Sequence, residues 1–226
     1  MTRAFEDYQD WSEEFTKARK EVGNIDLLLD LWKAKVPGTW ADRLWSGEWG
    51  YRKDSKAGAE VAGEKGIEAR LLGKPGTLSL LRLNRPGNSY PILTAYHNFP
   101  LTNQKKGQVV ADVLGVVLAQ WRRRPLLVEV KKTDAGPWHA LVECLKQVRL
   151  ARASGARICD HLTKVISPLE PGAWGLVVAP PDYYRKDIKE CRKLLQTLKD
   201  NTQARIAFAT IGSTKTELKW KEGNWE

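Results

Sequence analysis

Cysteine is scarce and scattered in this chain. The three present, Cys144, Cys159 and Cys191, are widely spaced in 226 residues. No CxxC pair exists, so neither a zinc cluster nor a disulfide framework is indicated, and a reducing interior is the expected compartment. Long apolar runs are also missing. Nothing approaches the ~20 residues needed to cross a bilayer. The opening stretch, MTRAFEDYQDWSEEF, is amphipathic and acidic and has no apolar signal-peptide core. A soluble, intracellular, cytoplasmic protein with no membrane partner is therefore expected. There is no Walker-type phosphate loop, no GxGxxG turn after a strand, no HExxH helix and no recognisable Ser-His-Asp or Cys-His set. Those absences argue against nucleotide-driven, dinucleotide-dependent and zinc-protease chemistry. No helix-turn-helix or zinc finger provides base readout. Internal repeats and low-complexity tracts are absent too.

Positive charge is abundant. Lys and Arg outnumber Asp and Glu by 37 to 27, a formal net charge of +10, with a pI near 9.5. A polyanionic partner is implied, and nucleic acid is the commonest one. The length suits one domain with elaborations.

One stretch organises the rest. Residues 109–132 read VVADVLGVVLAQWRRRPLLVEVKK. Two Val- and Leu-rich runs, 109–119 and 126–130, flank a short polar segment, which reads as two adjacent antiparallel strands. Both faces of each strand are apolar, so the hairpin belongs inside a sheet covered on both sides. Asp112, Glu129 and Lys131 interrupt that pattern. Side chains alternate along a strand, so Glu129 and Lys131 share a face. With the turn centred near Trp121 and Arg122, Asp112 falls opposite Lys131 and diagonal to Glu129. Diagonal partners lie about 7–8 Å apart, close enough for two carboxylates to hold one cation.

The flanking sequence supplies helices and further strands. Residues 2–22 read as a helix with Thr2 as its cap, because Phe5, Tyr8, Trp11 and Phe15 recur at steps of three and four. Residues 25–35 form a second short helix. Residues 40–49 hold Trp40, Trp45 and Trp49, placed either for packing or for stacking on unpaired bases. Residues 59–72 form a helix with Glu60, Glu64 and Glu68 on one face. Strands are expected at 78–84, 91–97, 174–179 and 205–211, with an edge strand at 217–220. Helices are expected at 137–153 and 182–200. This order implies an α/β fold with a mixed central sheet flanked by helices. The chain divides into a Trp-rich helical elaboration at 1–56, a core at 57–212, and a C-terminal tail or edge strand at 213–226.

Asp112, then Glu129-Val130-Lys131 on the next strand, resembles the PD-(D/E)XK nuclease superfamily over about residues 60–212. The proline that often precedes the first acid is replaced by Ala111. The resemblance implies a restriction-endonuclease-like core and a Mg²⁺-dependent nuclease, with Mn²⁺ as a substitute. It implies that Asp112, Glu129 and the Val130 carbonyl hold the metal while Lys131 orients or deprotonates the water. It also implies that Glu68, with Glu64 as runner-up, and Gln147 join the site. DNA is favoured over RNA, and endonuclease over exonuclease action.

Lys105, Lys106 and Lys132 are placed for flanking phosphates. Arg122, Arg123 and Arg124 sit near the turn, with Arg124 about 23 Å along the strand from Lys131. They are left for a distant part of a long duplex, a partner protein or solvent. Two rival readings remain: a non-catalytic nucleic-acid-binding protein, and a structural or interaction protein whose N-terminal helical region docks a homodimer or another partner.

Overall fold

The computed structural model describes residues 5, 7–34, 44, 64–72, 78–103, 108–132, 136–154, 156–164, 166, 169–211 and 216–225. Lys105, Lys106, Trp40, Trp45, Trp49, Glu60 and the expected cap Thr2 lie outside them.

Among the described residues seven strands follow one another as β1 (Ser79–Arg85), β2 (Asn88–Pro100), β3 (Val110–Ala119), β4 (Arg122–Val130), β5 (Trp174–Ala179), β6 (Ile206–Ile211) and β7 (Glu217–Gly223). The directions are mixed: β4–β5 and β5–β6 pair parallel, whereas the first four strands form an antiparallel meander. The open, restriction-endonuclease-like sheet expected from the sequence is not what forms. The seven strands close into a barrel, with helices outside it.

Closure depends on β7, which reads as an edge in the sequence. It pairs antiparallel with β6 and parallel with β1, matching Arg82 to Glu217 and Asn84 to Lys219. Pairing both sides of β7 removes the sheet's two open edges. Two register shifts favour the curl. One lies in β2 between Thr94 and Tyr96, the other where β6 meets β7 at Phe208 and Ala209. Such bulges bend a strand and increase its twist.

Two apolar layers result. One draws residues from every strand, among them Leu83, Ile92, Val113, Val128, Leu176, Ala209 and Leu218, and fills the barrel. Helix α3 (Glu64–Leu72) adds Ile67 and Leu71 to it. The other joins the outer faces of β2 to β6 to the remaining helices. These are α1 (Tyr8–Ala18), α2 (Ile25–Lys33), α4 (Gly136–Ala153), α5 (Ala156–Thr163) and α6 (Ile188–Asn201). No helix is expected where α5 forms, and the helix expected at 182–200 divides into a 3₁₀ turn at Pro181–Arg185 and α6. The first helix is shorter than the expected 2–22: α1 ends at Ala18 and takes Asp7 as its cap.

The aromatic face of α1 is used inside the molecule. Trp11 and Phe15 are buried, Trp11 donates to the Leu31 carbonyl, and Trp138 of α4 donates to the Ala18 carbonyl. Helix α4 itself lies close on β5 because residue 175 is glycine. A Cβ there would meet Cys144 Sγ at 2.5 Å and Val148 Cγ2 at 3.0 Å.

Candidate functional site

The β3–β4 hairpin brings its three ionisable residues to the end away from the turn. The ladder runs from Ala119↔Arg122 to Val113↔Val128, so the next step sets Asp112 beside Glu129. The turn is Gln120-Trp121, one residue earlier than the sequence suggested. That moves the pairing by two residues, and the register extended by one step points Asp112 at Glu129, not Lys131. A two-residue slide preserves which face each side chain takes. Leu127 belongs to the outer layer beneath α4, and Glu129 and Lys131 follow on that face, while Val128 and Val130 point into the barrel.

Hydrogen bonds tie these residues to α4. Asp112 Oδ2 accepts from the Val130 amide at 2.7 Å. Gln147, only 4% exposed, donates from Nε2 to Glu129 Oε2 at 2.5 Å and to the Val110 carbonyl at 3.0 Å. Its Oε1 is buried with no hydrogen-bond partner among the described residues. Lys131 Nζ lies 2.5 Å from Glu129 Oε1 and 2.9 Å from Glu143 Oε2. Glu143 also pairs with Arg19, just beyond α1, and with His139 at 3.5 Å.

Glu143 and Arg19 are not among the residues expected at the site. Glu143 lies one helical turn before Gln147, and that spacing alone marks it as a neighbour. Nothing local marks Arg19, which is more than a hundred residues distant in sequence.

The second acidic group stands apart. Glu68 of α3 accepts from His97 Nε2 at 2.5 Å. Its charge still reaches Asp112, as does that of Glu64. Glu64 Oε1 accepts from the backbone amide of Lys132, whose side chain is exposed. Among the described residues, no three His, Cys, Asp or Glu side chains converge as a preassembled metal cage. Asp112 and Glu129 are brought together; Glu68 lies near but is held by His97.

Burial raises both central acids, and neighbouring carboxylates raise each further. Asp112 rises to about 6, chiefly through burial, against the lowering effect of the Val130 amide, with Glu68 raising it further. Glu129 rises to about 8, again through burial first and then the charge of Asp112. Burial pulls Lys131 down, but Glu129 and Glu143 more than offset it and raise the ammonium above its usual range. Glu129 loses part of that influence on Lys131 whenever it is protonated. The arrangement that satisfies both is one proton retained on the acidic pair near neutrality, with Lys131 charged beside it.

Compared with family models, curated proteins and solved structures, the chain matches none. No helix among the described residues is long and apolar enough to cross a membrane.

Proposed function

We propose that this chain hydrolyses phosphodiester bonds in nucleic acid, DNA in preference to RNA, as a divalent-metal-dependent endonuclease centred on Asp112, Glu129 and Lys131. The observation that carries this reading is that half-buried Asp112 lies close enough to the buried Glu129 for its charge to raise that carboxyl. Two like charges held side by side out of water cost several kcal/mol unless a cation joins them. The donors are hard oxygens, the two carboxylates and the Val130 carbonyl, which suits Mg²⁺ or Mn²⁺. Glu68 would join them only by leaving His97. Such an ion supplies charge neutralisation at a phosphate and an activated water.

The chain's own residues do the remainder. Lys131 keeps its proton, so it serves as a donor to developing negative charge on a phosphate oxygen, not as a base. Gln147 orients Glu129 through Nε2 and leaves Oε1 to accept from a water. Glu143 and Arg19 position Lys131 from behind. The strong positive net charge supports a polyanionic substrate, and the motif resemblance to the PD-(D/E)XK nucleases supports the reaction.

One observation favours a second reading. Lys131 is already closed between Glu129 and Glu143, which suits an interior ion pair in a non-catalytic nucleic-acid-binding protein. Labelled DNA and RNA incubated with Mg²⁺ or with excess chelator separate the two. Metal-dependent cleavage by the wild type, lost in Glu129→Ala and Lys131→Ala, supports the nuclease. Binding without cleavage, or full cleavage in chelator, overturns it.

A further inference from the structure

The tip of the β3–β4 hairpin carries an aromatic side chain that the fold does not use. Ala119 and Arg122 close a two-residue loop. Its residues, Gln120 and Trp121, have φ of 51° and 63°. Positive φ at both positions is the type I′ pattern, which normally takes Asn-Gly because a side chain is strained there. Here the second position holds an indole, 96% exposed. The next most exposed large apolar side chain among the described residues, Leu80, is at 50%. Trp121 thus adds strain to the turn and buries almost nothing in return.

Its surroundings are basic. Arg122 and Arg123 are exposed, and Arg124 is partly so. Arg122 and Arg124 share one carboxylate, that of Glu170, at 3.2 and 3.0 Å. Further along the sheet, Arg124 lies over the Trp174 ring at 5.6 Å. Arg152 sits in the same field: burial and then the charges of Arg205 and Arg124 bring it down to about 10. The tip is therefore one flat aromatic on a positive base.

A lipid surface would call for a wider apolar patch, and Trp121 has polar neighbours on both sides. A nucleic acid offers both matching elements at once. A base has a face for the indole, and its phosphates match guanidiniums.

We infer that the β3–β4 tip is a second nucleic-acid contact, in which Trp121 stacks on an unpaired base while Arg122 and Arg123 hold the adjoining phosphates. This rests on nucleic acid being the substrate of the Asp112–Glu129 site. Trp121 precedes β4, and Lys131 follows it. Ten residues of extended chain separate them, about 30 Å. That span equals about nine duplex steps at ~3.4 Å each. The tip therefore holds its base about one helical turn from the bond presented to Lys131, and short fragments cannot occupy both places.

The test is fluorescence anisotropy with the full chain in chelator, where cleavage is not expected. The probes are a labelled duplex of 30 base pairs with a single-stranded overhang and a blunt duplex of 8 base pairs. Trp121→Ala should weaken binding of the long probe about tenfold and leave the short probe unchanged. Trp121→Phe should retain most of the affinity. Trp121→Gly suits the turn better than the native residue, so its equal loss would exclude misfolding. Arg122→Ala with Arg123→Ala should make the salt dependence shallower, by at most about two counterions because Arg122 also pairs with Glu170. Unchanged affinity of Trp121→Ala for the long probe overturns the tip proposal while leaving the site reading intact. So does Trp121-dependent binding to phosphatidylserine vesicles with DNA binding unaffected. A wild type that binds neither DNA nor RNA at any length overturns both.

Discussion

Gln147 donates from Nε2 to Glu129 Oε2 at 2.5 Å and so joins α4 to the carboxylate on β4. The same amide group also donates to Val110 on β3. One side chain therefore holds the spacing of both strands beneath the helix. Polar groups that orient a metal-holding carboxylate set its affinity, typically by 10–100-fold. Gln147→Ala should lower cleavage at fixed Mg²⁺ by about that factor, and higher Mg²⁺ should restore most of it. A Mg²⁺ titration of cleavage rate checks this. A loss that no Mg²⁺ concentration restores would count against the orienting role.

The raised acids set a pH dependence. Asp112 and Glu129 shift to about 6 and about 8, both through burial first. The folded protein therefore keeps protons that an unfolded chain releases near pH 4. Without metal, this contribution to stability is present below about pH 4 and is lost as pH rises towards 8. Asp112→Asn keeps an acceptor for the Val130 amide but cannot ionise. Relative to wild type it should gain up to about 3 kcal/mol at pH 8 and little at pH 4. Thermal melts at the two pH values decide the matter.

Cation binding should follow the same protons. Mg²⁺ must displace them, so its affinity should climb between pH 6 and 8 and binding should release protons. Wild-type Tm should rise with added Mn²⁺ by mass action, and Asp112→Asn should not respond. Calorimetry in buffers of different ionisation enthalpy measures the proton release directly. Equal Mn²⁺ stabilisation of the wild type and Asp112→Asn would remove Asp112 from the metal-holding set.

Gly175 controls how closely α4 lies on the sheet. A methyl group there would press Cys144 and Val148. Gly175→Ala should cost about 1–3 kcal/mol by overpacking. It should also lower activity, because Glu143 and Gln147 ride on the displaced helix. Cys144→Ala in the same chain opens space at the closest contact, so the double variant should recover part of both losses. A double-mutant cycle shows whether the two positions couple; simple additivity would contradict the packing argument.

The hairpin tip separates stability from binding. Trp121 has φ of 63°, where a bulky side chain is strained by about 1–3 kcal/mol. Trp121→Gly should raise the urea midpoint, offset in part by the greater freedom of glycine in the unfolded chain. A lower midpoint would mean that the indole supports the fold after all.

Periodicity carried the hairpin and its faces. Alternation along residues 109–119 and 126–130 is local, so it set Glu129 and Lys131 on one side whatever lay around them. Parity also survived the misplaced turn, because moving the centre by one residue slides the pairing by two. The turn itself was illegible for a definite reason. Gln120-Trp121 adopts a conformation that normally needs Asn-Gly, and composition therefore pointed away from it. Gln147 came from the motif resemblance instead: the helical period assigned it to a polar face of α4, yet it is buried. Barrel closure was decided elsewhere. It depends on β7 meeting β1 more than a hundred residues away, and on bulges that no hydrophobic pattern announces. The same holds for Arg19 with Glu143 and for His97 with Glu68. Each pair forms across separate elements once packing has brought them together. Side-chain direction follows from bonds along the chain, whereas which charges share a buried space follows from how the layers close.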